Sequence, residues 1–554
     1  MQKVKRLERD KIGLLLETSW EVCNKIGGIY TVLSTKARVL QEKFGDKLVF
    51  IGPDVWTEDT PSPYFIERKT LLKQASSRLK LPYGITIRVG RWDIPGSPQV
   101  VLVKFEGVYE HLNEIFGQMW ENFGVDSMHA YGDYHEGCAF AVATAIVMQA
   151  LARHLNVKGN NVVAHFNEWT TAMGLLYLKH NMPEAATVFT THATSIGRSI
   201  CGNGKPLYDY FTGYNGDQMA RELNMEAKHS LEKTAAHNAD CFTAVSEVTA
   251  RECEQLLDIR PQVVTPNGFE PDFVPEEKKY ARLRSEGRKT ILDIASALKG
   301  KKFADDTMIV ATSGRNEYRN KGLDLFLDAL SDLDKRTPGK SVLALVLVPA
   351  WVKEPFESLK DAMAKGGEGA LSPDYLTHRL NNEDSDSIAC RIRSLECEGR
   401  LHGSVDVVYV PCYLDGGDGI VNVSYYDILP AIDITVFASY YEPWGYTPLE
   451  SVAFGVPTVT TDKSGFGQWI LSNFTNSIMD CGVKVIGRTD SNYCEAVAEI
   501  GNQLEAYSNS SESEVKTARN AASATAEKAD WKYFISAYDE AFKVAEERRD
   551  ARIK

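Results

Sequence analysis

The sequence predicts an α/β protein made of two doubly wound domains that face a cleft, and three observations carry this. Apolar runs of strand length alternate with helix-period segments through the first half of the chain. A polar, charged stretch at residues 276–302 interrupts the alternation, which then restarts. Glycine-containing turns join strands to the helices that follow them, where open parallel sheets bind their ligands.

In the first half, strands are expected at residues 13–17, 47–51, 100–105, 161–166, 186–190 and 241–245, and helices at 30–44, 136–155 and 249–257. Alternation of this kind needs crossover connections, so the sheet should be parallel with helices on both faces. Val263-Val-Thr-Pro-Asn-Gly268 closes this half. In the second half, strands are expected at 308–312, 342–348, 405–410, 434–438 and 457–461, with helices at 323–333 and 448–454. Residues 357–382 read as a loop-rich insertion, and the last helix, 531 to about 548, has no sheet left to build. The boundaries read as 1–275, 276–530 and 531–554.

The formal net charge of -13 argues against a nucleic-acid partner, which needs a basic surface. An acidic chain that binds an anion must do so with a few placed cations. The ten cysteines include no CxxC pair and no histidine at metal-ligand spacing, so free thiols in a reducing cytoplasm and no metal site are expected. The apolar run 12–16 is too short for a signal-peptide core, and 138–152 falls short of the about 20 residues of a membrane span. No membrane partner is expected.

Four places can carry chemistry. Lys25-Ile-Gly27-Gly28 lies between the first strand and first helix, where backbone can approach an anion at a helix N-terminus; a plain turn is the alternative. Arg315 and Lys321 follow a strand end and can neutralise a diphosphate, unless they are two solvated charges. His192, with Arg198 beyond it, stands just past a strand and can bond a sugar hydroxyl or simply fill the core. Glu442 also lies past a strand; Gly445 permits close approach, and Pro448 is read as starting a helix with Glu450 on its first turn. Glu450 there either reaches a ribose or serves the helix dipole.

Glu21-Val-Cys-Asn-Lys-Ile-Gly-Gly-Ile-Tyr-Thr-Val-Leu33, Val163-Ala-His-Phe-Asn-Glu-Trp169, Phe189-Thr-Thr-His-Ala-Thr194 and Gly314-Arg-Asn-Glu-Tyr-Arg-Asn-Lys-Gly322 resemble the animal and fungal type of glycogen synthase, as does Ser439-Tyr-Tyr-Glu-Pro-Trp-Gly-Tyr-Thr-Pro448. The resemblance runs from about residue 12 to Trp531-Lys-Tyr533. It implies two Rossmann-like domains in the GT-B architecture, and retaining transfer of glucose from UDP-glucose to the non-reducing end of glycogen or another α-1,4-glucan, with no cofactor. It also implies that Arg198, Arg315 and Lys321 hold the diphosphate, that His192 and Glu442 face the glucosyl group, and that Glu450 binds the ribose. Tyr425 would stack on the uracil, and Trp444, Gly445 and Thr447 would lie around the phosphates and sugar. The last helix would cross back onto the first domain. ADP-glucose as donor, or a catalytically inactive glucan-binding scaffold, are the alternatives.

The chain departs from the family in two ways. The segment between Trp351 and Asp406 is much shorter than the family's, which carries long helices there for tetramer contacts, and the chain stops at Lys554 without a regulatory tail. Both point to a short bacterial form and leave a homo-oligomer open. Family members activated by glucose-6-phosphate carry a row of arginines before the Asp-Trp-Lys-Tyr motif; here only Lys516 and Arg519 are basic on the matching stretch, and both are expected to be solvated.

Overall fold

The computed structural model describes residues 12–554 except 58, 337, 366–368 and 402. The chain divides into two compact units, one of the described residues up to Gly268 with Trp531–Lys554, the other Phe269–Asp530. Residues 269–275 therefore go with the second unit.

Among the described residues, the first unit holds nine strands: β1 (Leu14–Thr18), β2 (Leu48–Pro53), β3 (Phe65–Glu67), β4 (Thr86–Trp92), β5 (Gln99–Lys104), β6 (Val162–Asn167), β7 (Ala186–Thr191), β8 (Cys241–Ala244) and β9 (Val263–Val264). They form one sheet in the order β3-β4-β5-β2-β1-β6-β7-β8-β9. From β5 to β9 every pairing is parallel, and β1, β2, β6 and β7 are buried along their whole length, as strands covered on both faces must be. The edge differs from expectation: β3, β4 and β5 pair antiparallel, so the sheet is mixed. The apolar stretch around residues 138–152 is also longer than expected. Its helix runs Tyr134–Leu155 and has the length and hydropathy of a membrane span, but 78% of its most apolar window is buried within the unit. Burial, not shortness, makes it a core helix.

The helix Trp531–Arg552 completes this unit. Trp531 is 1% exposed and its indole N–H donates to Thr35 Oγ1 at 2.8 Å, while Phe542 meets Phe44 edge-on. Under the same helix lies a buried ion pair, Lys36 with Glu17 at 3.2 Å, extended by His165 Nδ1 at 2.9 Å from Glu17. Burial alone would raise the Glu17 carboxyl, but His165 and Lys36 hold it down to about 2.

The second unit carries β10 (Met308–Ser313), β11 (Val342–Leu347), β12 (Val352–Pro355), β13 (His378–Leu380), β14 (Val405–Val410), β15 (Ile434–Phe437), β16 (Thr458–Thr461) and β17 (Val483–Ile486). A parallel sheet runs β14-β11-β10-β15-β16-β17. The insertion is more ordered than expected: β12 and β13 form an antiparallel ribbon with the helix Glu357–Lys365 between them. The charged stretch 276–302 is a 23-residue helix, Glu277–Lys299. Its apolar residues Ile291, Leu292, Ile294 and Leu298 are buried, and Arg284 and Arg288 both reach Asp433 at 2.7 Å.

Candidate active site

The candidate residues fall on both units, and each group is built within its own. In the second unit, β10 delivers Ser313, after which the chain turns through Gly314, Arg315 and Lys321 into the helix Leu323–Lys335. Arg315 is 57% exposed at its side chain and pairs with Glu317 at 3.1 Å. Lys321 is different: its ammonium is ion-paired with Glu442, and both side chains are largely buried. Gly322 makes this approach possible. Its φ is 66°, and a Cβ there would lie 1.9 Å from the Ala438 carbonyl oxygen.

Past β15, the chain holding Glu442 is pinned to the segment after β16. Gly465 N–H donates to the Glu442 carbonyl at 3.2 Å and Phe466 N–H to that of Trp444 at 2.8 Å. Gly445, with φ 108°, precedes the helix Tyr446–Ala453. That helix begins earlier than the sequence suggests. Pro448 is its third residue rather than its first, Thr447 is part-buried in its first turn, and Glu450 lies in the second turn. Glu450 is 8% exposed and accepts the Tyr426 hydroxyl at 2.8 Å. Tyr426 in turn stacks on Phe454, with planes 4° apart. Beside it, Tyr425 shares a hydrogen bond of 3.0 Å with Ser313 Oγ. The fold thus gathers Ser313, Tyr425 and Glu450 at the strand ends, with Tyr426 as a support that sequence reasoning missed; its signal was the tyrosine doublet itself.

In the first unit, Gly27 caps the helix Gly28–Phe44 and Gly28 opens it, two residues earlier than expected, but the chain supplies its own anion. Glu21 Oε2 accepts the N–H groups of Gly27 and Tyr30, both at 2.8 Å. Lys25 is exposed, 5.7 Å from the Tyr30 ring centre, and a Cβ at Gly28 would meet nothing within 4 Å.

His192 is 8% exposed, and its Nε2 lies 3.1 Å from Asn167 Oδ1. An amide oxygen only accepts, so the ring carries its hydrogen on Nε2 and presents Nδ1 as an acceptor. Burial, helped by the charges of Lys36 and His165, lowers His192 to about 3 and keeps it neutral. Its backbone N–H and that of Ala193 both donate to Glu168 Oε1, at 2.9 and 3.0 Å. Glu168 has φ 69°, a costly conformation for this residue. Arg198 is exposed on the short helix Ser195–Gly202, and its charge counters the burial that raises Glu168. Around that helix start are two more acids. Glu232 accepts Ser195 N–H at 2.8 Å and the Thr191 hydroxyl at 3.2 Å, and Glu252 accepts the Thr194 hydroxyl. Burial and then the Glu168 carboxylate push Glu232 up to about 8. None of these three acids was singled out from sequence. They come from separate segments, and only Glu168 lies in a motif that carried the resemblance.

All ten cysteines are free. The fold does set one beside a histidine: His378, Cys412 and Asp418 place ligand-type atoms within 4.8 Å of one another, a proximity that sequence spacing concealed. The polar atoms of His378 and Asp418 have protein partners. His378 Nε2 lies 2.9 Å from the Asp418 carbonyl oxygen and Nδ1 2.8 Å from Thr377 Oγ1, and the Asp418 carboxylate accepts three backbone N–H groups. Burial pushes the Cys412 thiol up to about 12.

Comparison with known proteins matches residues 17–366 and 356–551 to the glycogen synthase family. The two stretches meet inside the segment expected to be short. The chain is 28% identical to a Neurospora crassa glycogen [starch] synthase, over 96% of this chain and 83% of the relative. It is 28% identical to the human liver glycogen [starch] synthase, over 95% and 82%. Among solved structures, the catalytic domain of starch synthase IV from Arabidopsis thaliana, bound to ADP and acarbose, superposes with a TM-score of 0.57 at 14% identity, covering 97% of this chain and all of that one. An α,α-trehalose 6-phosphate synthase from Burkholderia multivorans gives 0.54 at 11% identity, over 98% and 99%. With the GT-B glycosyltransferase fold so placed and the family match spanning nearly the whole sequence, the chain belongs to the glycogen synthase family.

Proposed function

We propose that this glucosyltransferase takes UDP-glucose as donor and adds glucose to the non-reducing end of an α-1,4-glucan with retention of configuration. The observation that carries this reading is the Lys321–Glu442 ion pair, held at the ends of two neighbouring parallel strands of one unit. Breaking the glucose–phosphate bond places negative charge on the departing diphosphate and positive charge at the anomeric carbon. Lys321, with Arg315, answers the first; Glu442 answers the second. Fixed charges of this kind stabilise a transition state without reorganising. Before the donor binds, the two satisfy each other, so neither is buried unpaired. Arg198 is assigned to the diphosphate, and neutral His192 to a sugar hydroxyl through Nδ1. Tyr425 is assigned to the base, and Glu450, oriented by Tyr426, to the ribose. Attack by the acceptor 4-hydroxyl on the face that the phosphate leaves accounts for retention, the departing phosphate taking the proton.

No cofactor or metal is assigned to the reaction, and ten free cysteines suit a reducing cytoplasm. The test is to incubate the pure protein with UDP-glucose or ADP-glucose and glycogen in excess chelator, and to follow glucose incorporation and the anomeric linkage formed. Incorporation from UDP-glucose in new α-linkages is expected. A clear preference for ADP-glucose would reassign the donor; activity lost to chelator and restored by a divalent ion would overturn the metal-free assignment. No incorporation from either donor would favour an inactive glucan-binding scaffold.

A further inference from the structure

Lys321 and Glu442 lie on separate loops, one after β10 and one after β15, so their pairing depends on whatever fixes those loops to each other. The carbonyl of Asn320 does so directly, accepting the N–H of Tyr440 at 2.9 Å and of Tyr441 at 3.2 Å. The ring of Tyr440 is 1% exposed and is held from three directions. The Arg319 guanidinium stands 5.0 Å from its centre, the Arg488 guanidinium 5.8 Å, and its hydroxyl donates to Asp490. Arg319 also reaches Asp490, at 3.6 Å.

Arg488 is an expensive choice for this place. It is 4% exposed, and among the described residues its Nε and Nη1 have no hydrogen-bond partner. Its backbone N–H is fixed by Asp462 Oδ1 at 2.9 Å, and its guanidinium lies 5.8 Å from each of two rings, Tyr440 and Tyr493. A buried cation without full hydrogen bonding costs stability, and the charge of Asp324 with the two tyrosine rings offsets part of that. What the arrangement secures is the placement of Tyr440.

We propose that Tyr440 is a positioning residue for glucosyl transfer: clamped by Arg319, Arg488 and Asp490, it holds Asn320 in place and so sets the reach of Lys321 to Glu442. This rests on the reading that Lys321 and Glu442 act on the donor. In this reading it acts through the backbone of the neighbouring loop, where a shift of about 1 Å is worth on the order of 100-fold in rate.

The test is a double-mutant cycle. Tyr440→Phe removes the hydroxyl bonded to Asp490 and leaves the ring to both guanidinium groups. Turnover and donor KM are measured for this change in the native enzyme and in Glu442→Gln. Turnover should fall about tenfold in the native enzyme with donor KM within about twofold, and by less than about twofold in Glu442→Gln, because the geometry being set no longer matters there. An equal factor in both backgrounds would show general damage, and an unchanged turnover would show no role; either result overturns the inference. Should Tyr440→Phe not fold, Asp490→Asn loosens the same hydroxyl and carries the same expectation. Native enzyme that transfers no glucose from either donor would remove the underlying reading and this inference with it, whereas active enzyme with equal factors removes the inference alone.

Discussion

The ammonium of Lys36 stands 4.2 Å from the centre of the Tyr538 ring, so a buried lysine of the first helix is roofed by the last one. The same ammonium is paired with Glu17, and both side chains are wholly buried. Breaking a buried pair by removing one partner is expected to cost about 3–5 kcal/mol. Lys36→Met should show a loss of this size in urea unfolding, because it leaves Glu17 with His165 alone. Lys36→Met combined with Glu17→Gln should be milder. A double variant as damaged as the single one would show that the loss is in packing rather than charge.

The contrast between Arg315 and Lys321 can be read in kinetics. Loss of one charge-stabilising group costs about 100-fold or more in turnover, so Arg315→Ala and Lys321→Ala are both expected at that scale. Only Lys321→Ala also strands Glu442, so it alone should lower thermal stability measurably. Glu442→Gln should lower turnover more than donor binding. Near-native kinetics in all three would reduce these residues to surface charges.

Two groups near the Ser195 helix start tilt the pH dependence of stability in opposite directions. Glu232 is raised from 4.5 to about 8, so its contribution is present below the unfolded value and is lost as pH rises through 8. His192 is lowered from 6.5 to about 3, so its contribution is present above 6.5 and is lost as pH falls toward 3. Glu232→Gln keeps the neutral form at every pH. Its Tm at pH 9 is expected to exceed that of the native chain by about 3 °C or more, the scale of 1 kcal/mol in a large domain. Parallel Tm-against-pH curves for the two proteins would refute this.

Glucose-6-phosphate is expected not to activate strongly. The expectation that Lys516 and Arg519 are both solvated needs half correcting. Lys516 is exposed, but Arg519 is part-buried, donating to the carbonyls of Ile432 at 3.0 Å and Pro430 at 3.4 Å and to the Tyr280 hydroxyl. A guanidinium so engaged has little left for a phosphate dianion, and an effector shifts an equilibrium only by its differential affinity. A saturable rise in rate of about tenfold at donor below KM, abolished by Arg519→Ala, would contradict this.

Assembly through paired long helices at residues 352–405 is not expected. Among the described residues, the helices there, Glu357–Lys365 and Ser387–Cys397, have 9 and 11 residues, too short for a coiled seam of several heptads. Light scattering gives the oligomeric state; a tetramer whose cross-links map to this segment would refute the expectation.

The strands that sequence reasoning found include unbroken apolar runs such as Val342–Leu347, because burial on both faces leaves them no polar side. It missed Thr86–Trp92, where Arg88, Gly90 and Arg91 break the run at an antiparallel edge. It read the helix Glu277–Lys299 as a polar segment because its first half is dense in charge, and two of those charges, Arg284 and Arg288, serve distant Asp433. Candidate site residues were legible where they followed a strand end, as Lys321 and Glu442 do. The acids Glu168, Glu232 and Glu252 were not, since their meaning comes from the amides and hydroxyls that the fold brings to them.

The first unit is interrupted in the chain: its sheet is complete at Val264, yet its closing helix begins only at Trp531. A ribosome adding about 5–20 residues per second spends on the order of 10–50 s on the intervening residues. Throughout that time the nascent sheet is finished but the faces of Lys36 and His165 that Tyr538 and Phe542 later cover lie open. The second unit is synthesised whole in that interval. Translation order thus makes the last helix a latch, and chains released before it is made would be the ones for chaperones and proteases to collect.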